Sequence, residues 1–293
     1  MDFLVTVIMS ILHKDSKPKY EAAKHAKRDW KKRARSFSFS NTVLVLSLIF
    51  LFIPLFVIVF YSFNRNEGSS FTGFSFIWYK ELFFSSGKLW MSLLYSGIVA
   101  VSSAVISTIL GTLAAIGISW YKFFGKSYIR SINFLPMVLP EVIMGVSLLI
   151  FLGQDGLGMN MGLHTIIIAH TTFCLPFVYL MVSARVDEFD FSIIEAAHDL
   201  GANERETLFK VVIPAIMPGI ISGFFMSITM SIEDFVITSL VNGNVITLPI
   251  YVYNEIRHGV SPVINSLSFI LILGISIFAI VLRKSLKGFA ASK

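Results

Sequence analysis

Hydrophobic positions in this chain come as long runs rather than as stripes. Stretches of about twenty apolar residues, the length that carries a helix across the ~30 Å hydrocarbon layer of a bilayer, lie near Thr42–Tyr61, Leu93–Ser119, Ser131–Leu152, Leu163–Ala184, Ala215–Ile232 extending to about Leu240, and Val263–Leu282. Each predicts a membrane-spanning α-helix, because in lipid every backbone polar group has to be paired within its own segment. The predicted class is therefore an all-α integral membrane protein with six transmembrane helices. One segment breaks the pattern: Ser192–Pro218, SIIEAAHDLGANERETLFKVVIPAIMP, is polar and punctuated by helix signals.

Two short helices are predicted within it. Ser192 followed three residues later by Glu195, and Asn203 followed by Glu206, are capping-box spacings that pair backbone donors at a helix start. Gly201 can stop the first helix in the left-handed conformation, and Pro214 lacks the N–H that would continue the second. Helices of roughly ten residues fall below the ~12–15 that are marginally stable alone in water, so both have to dock. Ile193, Ala196, Ala197 and Leu200, then Leu208, Val212 and Ile213, are expected to form the buried stripes, with Asp199, Glu204, Arg205 and Lys210 in water.

Composition agrees with the pattern. The 293 residues are 55% hydrophobic and 14% charged, with a mean hydropathy of +0.75, which excludes a soluble domain of this size. The net charge of +6 would fit a nucleic-acid binder, but ten of the 24 Lys and Arg lie before Ser36 against four acids, so the tail carries the whole excess. Six spans put both ends on one face. Twenty Lys and Arg fall on the face that holds the termini and the Glu195 loop, against Arg65, Lys80, Lys88 and Arg257 on the other. The positive-inside rule then predicts that both termini and the loop are cytoplasmic in a cell membrane. The expected organisation is a basic cytoplasmic tail at 1–40, a six-span domain at 41–285 with the polar loop at 186–213, and a cytoplasmic tail at 286–293. The apolar run Phe3–Leu12 is too short to span and follows no basic residue, so no cleaved signal peptide is expected; the lysines behind it would be drawn to anionic lipid. Cys174 alone excludes an internal disulfide.

Candidate chemistry is sparse. Gly125-Lys126-Ser127 ends like a phosphate loop, but Trp120 stands where that pattern requires Gly, so this chain is not expected to bind ATP. His170 and Cys174 share a helical face, yet two ligands do not make a zinc site, and packing or hydrogen bonding is the expected role. Glu141, Glu233 and Asp234 fall within predicted spans, where a carboxylate costs on the order of 2.5–3.5 kcal/mol even on the lenient insertion scale. With no Lys or Arg in the spans to meet them, they are candidates for a cation pathway; hydrogen bonding or a place near span ends is the alternative, evenly weighted for Asp234. Pro136, Pro140 and Pro176 can bend their helices and free carbonyls. Of the outer segments, Ser62–Ser92 is aromatic and expected along the membrane interface. Val241–Pro262 contains a short helix that either faces an extracytoplasmic binding protein or packs as a re-entrant element.

Glu195-Ala196-Ala197, Gly201 six residues after the Glu, Val211, Ile213 and Pro214 resemble the EAA loop of permease subunits of bacterial ABC importers, E-A-A-x3-G-x9-I-x-L-P, with Val211 and Ile213 as mild departures. From Ser62-Phe63-Asn64 through MVLPEVIMGVSLLIF, HTTFCLPFVYLMVSAR, FDFSIIEAAHDLGAN and SIEDFVITSLV to GVSPVINSLS, the chain resembles the second permease of spermidine/putrescine importers over about residues 60–280; the basic tail is not covered. The resemblance implies the type I importer permease fold. Glu195, Ala196, Ala197, Gly201, Ile213 and Pro214 would couple the chain to an ATPase dimer that carries the ATP and Mg, so the chain itself is neither an enzyme nor the holder of a cofactor or metal. It further implies a sister permease, an extracytoplasmic binding protein and polyamine cargo moved by alternating access. Glu141, Glu233 and Asp234 match acidic positions of that family, which often has Asp where Glu141 and Glu233 stand. Ferric iron, thiamine or phosphonate cargo, and an ion-coupled secondary transporter, are the rival readings.

Overall fold

A computed structural model of the chain describes residues 39–67, 70–259 and 261–291, apart from the side chains of Ser40, His258 and residues 278–291. Most of the predicted basic tail, with Phe3–Leu12, and the last two residues of the predicted C-terminal tail lie outside the described residues. Regular structure among the described residues is helical, apart from one isolated antiparallel bridge between Asn64 and Phe74. The chain forms two compact units, one ending at Tyr61 and one beginning at Ser62. The first contains α1, Phe39–Tyr61, whose side chains, Leu48, Phe50 and Leu51 among them, are exposed. A helix apolar all round belongs in an apolar solvent, here lipid.

The second unit runs α2 (Ile77–Phe84), α3 (Gly87–Trp120), α4 (Lys126–Asn133), α5 (Leu135–Val138), α6 (Glu141–Leu152), α7 (Leu163–Asp187), α8 (Ser192–Asp199), α9 (Glu204–Thr207), α10 (Ile213–Glu233), α11 (Val236–Val241), α12 (Leu248–His258) and α13 (Pro262–Ala291). Its centre is the mutual packing of α3, α7 and α10. Small residues make this possible, since lipid offers helices no hydrophobic drive and close backbone approach has to supply the attraction. Gly111 on α3 and Gly223 on α10 both press on Val178 of α7, where an added Cβ would stand 2.8 Å and 3.2 Å from its Cγ1. Ser103–Ser231 at 3.2 Å and Ser107–Ser227 at 3.3 Å join α3 to α10. Val178, Tyr179, Val182, Val212 and Ile216 fill the space below them.

Four helical segments among the described residues are long and apolar enough to cross a bilayer: Asn41–Tyr61, Gly87–Trp120, Leu163–Asp187 and Glu204–Glu233. The expected third span is instead two pieces, Lys126–Val138 and Glu141–Leu152, meeting at 109°. The turn falls at Leu139–Pro140, where proline disfavours helix at the residue before it and Leu139 is extended, with ψ 138°. Pro176, read from the sequence as an interruption, lies inside an unbroken α7. The expected fifth span is corrected at both ends: it starts at Glu204, and it stops at Glu233, short of Leu240.

The segment after Tyr61 folds into a turn held by Asn64. Asn64 closes its turn by accepting the Thr72 N–H at 2.9 Å, and its carbonyl accepts the Trp78 indole N–H at 2.6 Å. Trp78 and Leu82 of α2 then pack on Val263 and Leu267 of α13, while Phe74 and Phe76 remain outside. The predicted short helix of the last outer segment is α12. It is anchored by the Leu248 N–H, which donates to Ser96 Oγ at 2.8 Å.

Candidate functional site

Two places concentrate the polar chemistry: the loop after α7 and the break after α10. In the loop, α8 begins at Ser192, one residue earlier than the predicted box, with Ser192 as its cap, requires. Phe191 holds the cap position without a side-chain cap, and the Ser192 N–H donates to Asp190 Oδ1 at 3.0 Å, which holds the Asp190 carboxyl below the usual range. Ser192 and Glu195 therefore do not form the expected capping box. Gly201 stops the helix as predicted, with φ +87°. The Ala202 N–H reaches back to the Ala197 carbonyl at 3.0 Å and the Gly201 N–H to that of His198 at 2.9 Å, which is the Schellman closure. Asn203 and Glu206 do form the predicted box: Glu206 N–H donates to Asn203 Oδ1 at 3.0 Å, and Asn203 N–H donates to Glu206 Oε2 at 3.2 Å.

Pro214 does not end the second helix. Residues Leu208–Val212 widen into a π-turn, with the Ile213 N–H bonded to the Leu208 carbonyl, and α10 continues from Ile213 with proline in its first turn. A first-turn proline needs no donor, and the wider turn absorbs the mismatch. The result is one helical rod from Glu204 to Glu233, about 45 Å at 1.5 Å per residue.

The two expected stripes part company. Val212 is buried, and Leu208 packs against the core beside it, so the second helix docks on its own chain. On α8 it is Ile194 that turns inward. Ile193, Glu195, Ala196 and Leu200 face out, Leu200 at 89% exposure, with Ala197 half-buried. Phe191 and Phe209 extend this open apolar face.

At the break, each predicted pathway acid stands at a helix discontinuity. Glu141 is the first residue of α6 after the 109° turn, and Glu233 is the last of α10; both are exposed. The N-terminal end of α6 favours a carboxylate, and the C-terminal end of α10 opposes one. Asp234 lies between α10 and α11, and its side chain is 2% exposed. Its Oδ2 accepts from the Thr238 N–H at 2.8 Å and the Thr238 hydroxyl at 2.7 Å, and Oδ1 from the Ile237 N–H at 3.3 Å. His170 Nε2 is 3.2 Å from the same Oδ2 and 2.8 Å from Thr238 Oγ1, and Nδ1 is 2.6 Å from Ser231 Oγ. α11 in turn packs on α6, where Ile237 and Leu240 close over Gly145, so the two breaks share one contact.

Hydrogen bonding, the alternative expected for Asp234, is present, with Thr238 and His170 rather than Lys or Arg as partners. The signal was there in Ser231, Asp234 and Thr238, spaced three and four apart in an apolar run, and in a lone histidine on the neighbouring span. A cleft of about 440 Å³ is lined by Glu81, Lys88, Tyr251 and Glu255 among others. Burial and the neighbouring Glu255 push the Tyr251 hydroxyl above its usual range.

These features define an all-helical, multi-pass membrane component that carries a polar, apolar-faced loop on the end of a long core helix. The chain belongs to the family of binding-protein-dependent transport system inner membrane components, whose profile matches residues 107–287. It is 35% identical over 239 residues, 81% of this chain and 92% of the relative, to the spermidine/putrescine transport system permease protein PotC of Haemophilus influenzae. It is 38% identical over 239 residues, 79% of this chain and 84% of the relative, to the putrescine transport system permease protein PotI of Escherichia coli. Among solved structures it is similar to a chain of a bacterial ABC transporter involved in the import of the acidic polysaccharide alginate, with TM-score 0.65, 18% identity and coverage of 86% of this chain and 96% of that one. It is also similar to a chain of the inward-facing MetNI methionine ABC transporter, with TM-score 0.51, 20% identity and coverage of 67% and 90%. At such identities the likeness concerns the fold.

Proposed function

We propose that this chain is the permease subunit of an ATP-driven importer that moves polyamines, spermidine or putrescine, into the cell by alternating access. The observation that carries the cargo is the 35–38% identity, over three quarters or more of the chain, to permeases named for those two amines. The acids agree with it: Glu141 and Glu233 are exposed at helix breaks in a domain whose predicted spans hold no Lys or Arg. A path of negative character suits a polycation that lipid excludes.

The six-span topology, with tail 1–40, loop 186–213 and tail 286–293 on the cytoplasmic side, is part of the same reading. ATP and Mg reside on a separate ATPase dimer, and a sister permease completes the pathway that an extracytoplasmic binding protein loads. The open face of Ile193, Ala196 and Leu200 is what a groove of the ATPase would cover, with Glu195 and Gly201 setting its shape. Motion there passes along the Glu204–Glu233 rod through Ile213 and Pro214, because a continuous helix does not compress. It arrives at Glu233, beside the break.

The test is ATP-dependent uptake of labelled spermidine and putrescine into vesicles holding the reconstituted importer. Glu195→Ala is expected to abolish uptake, and Glu233→Gln to lower the amine delivered per ATP hydrolysed by about tenfold, the scale of one contact to a charged group. An importer that couples ATP hydrolysis to its binding protein yet carries neither amine would sink the cargo.

A further inference from the structure

Asp234 has no capacity left for a cargo. Its carboxylate already meets two backbone N–H groups, the Thr238 hydroxyl and His170 Nε2, within 2.7–3.3 Å, and it is sealed from solvent. Of the adjacent acids Glu233 and Asp234, only Glu233 is presented outward. Burying Asp234 has to be offset by partners that stay in place, since an unpaired carboxylate there is strongly destabilising.

The hydrogen bonds allow a consistent set of protons. The Thr238 hydroxyl donates to Asp234 Oδ2, the His170 Nε2–H donates to the pair they form, and Nδ1 accepts the Ser231 hydroxyl, which stands 3.2 Å from Ser103 Oγ on α3. Three helices thus meet at one imidazole, and α3 joins them through Ser231. Five residues earlier on α7, Thr165 Oγ1 lies 2.7 Å from the Val241 carbonyl, at the last residue of α11. α7 therefore holds α11 at its first turn and at its end, and with it the angle at which α10 stops.

We propose that His170 is a positioning residue for transport: by fixing the Asp234–Phe235 break it fixes where Glu233 presents its carboxylate. The inference rests on the reading of Glu233 as a cargo contact. His170 itself touches no cargo; it acts through the break.

The experiment is a double-variant cycle in the reconstituted importer, reading labelled spermidine delivered per ATP hydrolysed and the amount of assembled complex. His170→Ala is expected to lower the ratio about tenfold with ATPase activity retained, and His170→Gln, whose amide can still donate to Asp234, to recover most of it. In the Glu233→Gln background, His170→Ala is expected to add nothing. A ratio unchanged in His170→Ala, with only less complex assembled, assigns the residue to folding and overturns the proposal, as do effects of the two substitutions that multiply. Glu233→Gln with an unaltered ratio overturns the cargo contact itself, and is recognised without any His170 variant. If His170→Ala does not assemble, Asp234→Asn takes its place in the cycle with the same expectation; failure of both to assemble makes the network purely structural and overturns positioning.

Discussion

Gly219 and Gly145 face their neighbours across helix contacts of different stiffness. A Cβ on Gly219 would stand 2.9 Å from the Met181 carbonyl oxygen and 2.7 Å from Arg185 Cγ, whereas one on Gly145 meets first the tip of Leu240, at 2.6 Å from its Cδ1. A leucine methyl can rotate aside; a carbonyl held in α7 cannot. Gly219→Ala is therefore expected to cost about 1–3 kcal/mol, the usual range for overpacking, and Gly145→Ala less, read as the difference in midpoint temperature of the two variants in detergent. An equal loss in both would show that α6 and α11 are as rigidly apposed as α7 and α10. The residue scale is also where the sequence was least legible. The hydrogen-bonding role expected of His170 is present, but its partners, Ser231, Asp234 and Thr238, come from other segments. Helical spacing reveals what shares a face and says nothing of what the next helix brings to it.

At the scale of elements, two local signals of the loop were readable and the Ser192–Glu195 box was not. The stop at Gly201 and the cap at Asn203 depend on backbone groups within a few residues, and both are present. The fate of Pro214 depended on more: with Val212 and Ile216 seated in the core on either side, the helix gains by continuing, and the π-turn is how it does so. The same locality gives the loop a pH dependence. Lys210 Nζ donates to Glu206 Oε1 at 2.8 Å, and with the Asn203 N–H it draws the Glu206 carboxyl below the usual carboxylate range. A carboxylate with a depressed folded pKa stabilises the fold above its unfolded pKa and loses that contribution as pH falls through the folded value. Amide-exchange protection at Glu206 and Thr207, corrected for intrinsic rates, should be flat from pH 7 down to about 5 and fall below about 4. Glu206→Gln, which keeps an acceptor for the cap but carries no charge, should remove that fall; a fall that persists would place its origin elsewhere, Asp190 being the next candidate.

At the scale of the molecule, hydropathy located the apolar segments because bilayer thickness and helix rise leave few solutions. It could not foresee that the third would turn through 109° at Pro140, since a proline licenses a bend without setting its size. Nor does it orient the chain; the twenty-to-four distribution of Lys and Arg predicts cytoplasmic termini. Single cysteines can test that orientation against a clean background, because the chain's one native cysteine, Cys174, is fully buried. Lys80→Cys and Arg257→Cys are expected to react with a membrane-impermeant maleimide in intact cells, and Lys122→Cys and Leu200→Cys only after the membrane is opened. All four positions are exposed in the isolated chain. Leu200 carries the sharper expectation. Its face is apolar and exposed, so on the proposed coupling role the ATPase subunit should shield Leu200→Cys in the assembled importer while leaving Lys122→Cys reactive. Labelling of Leu200→Cys from outside the intact cell would put the loop on the face that ATP cannot reach, and the coupling reading would fall with it.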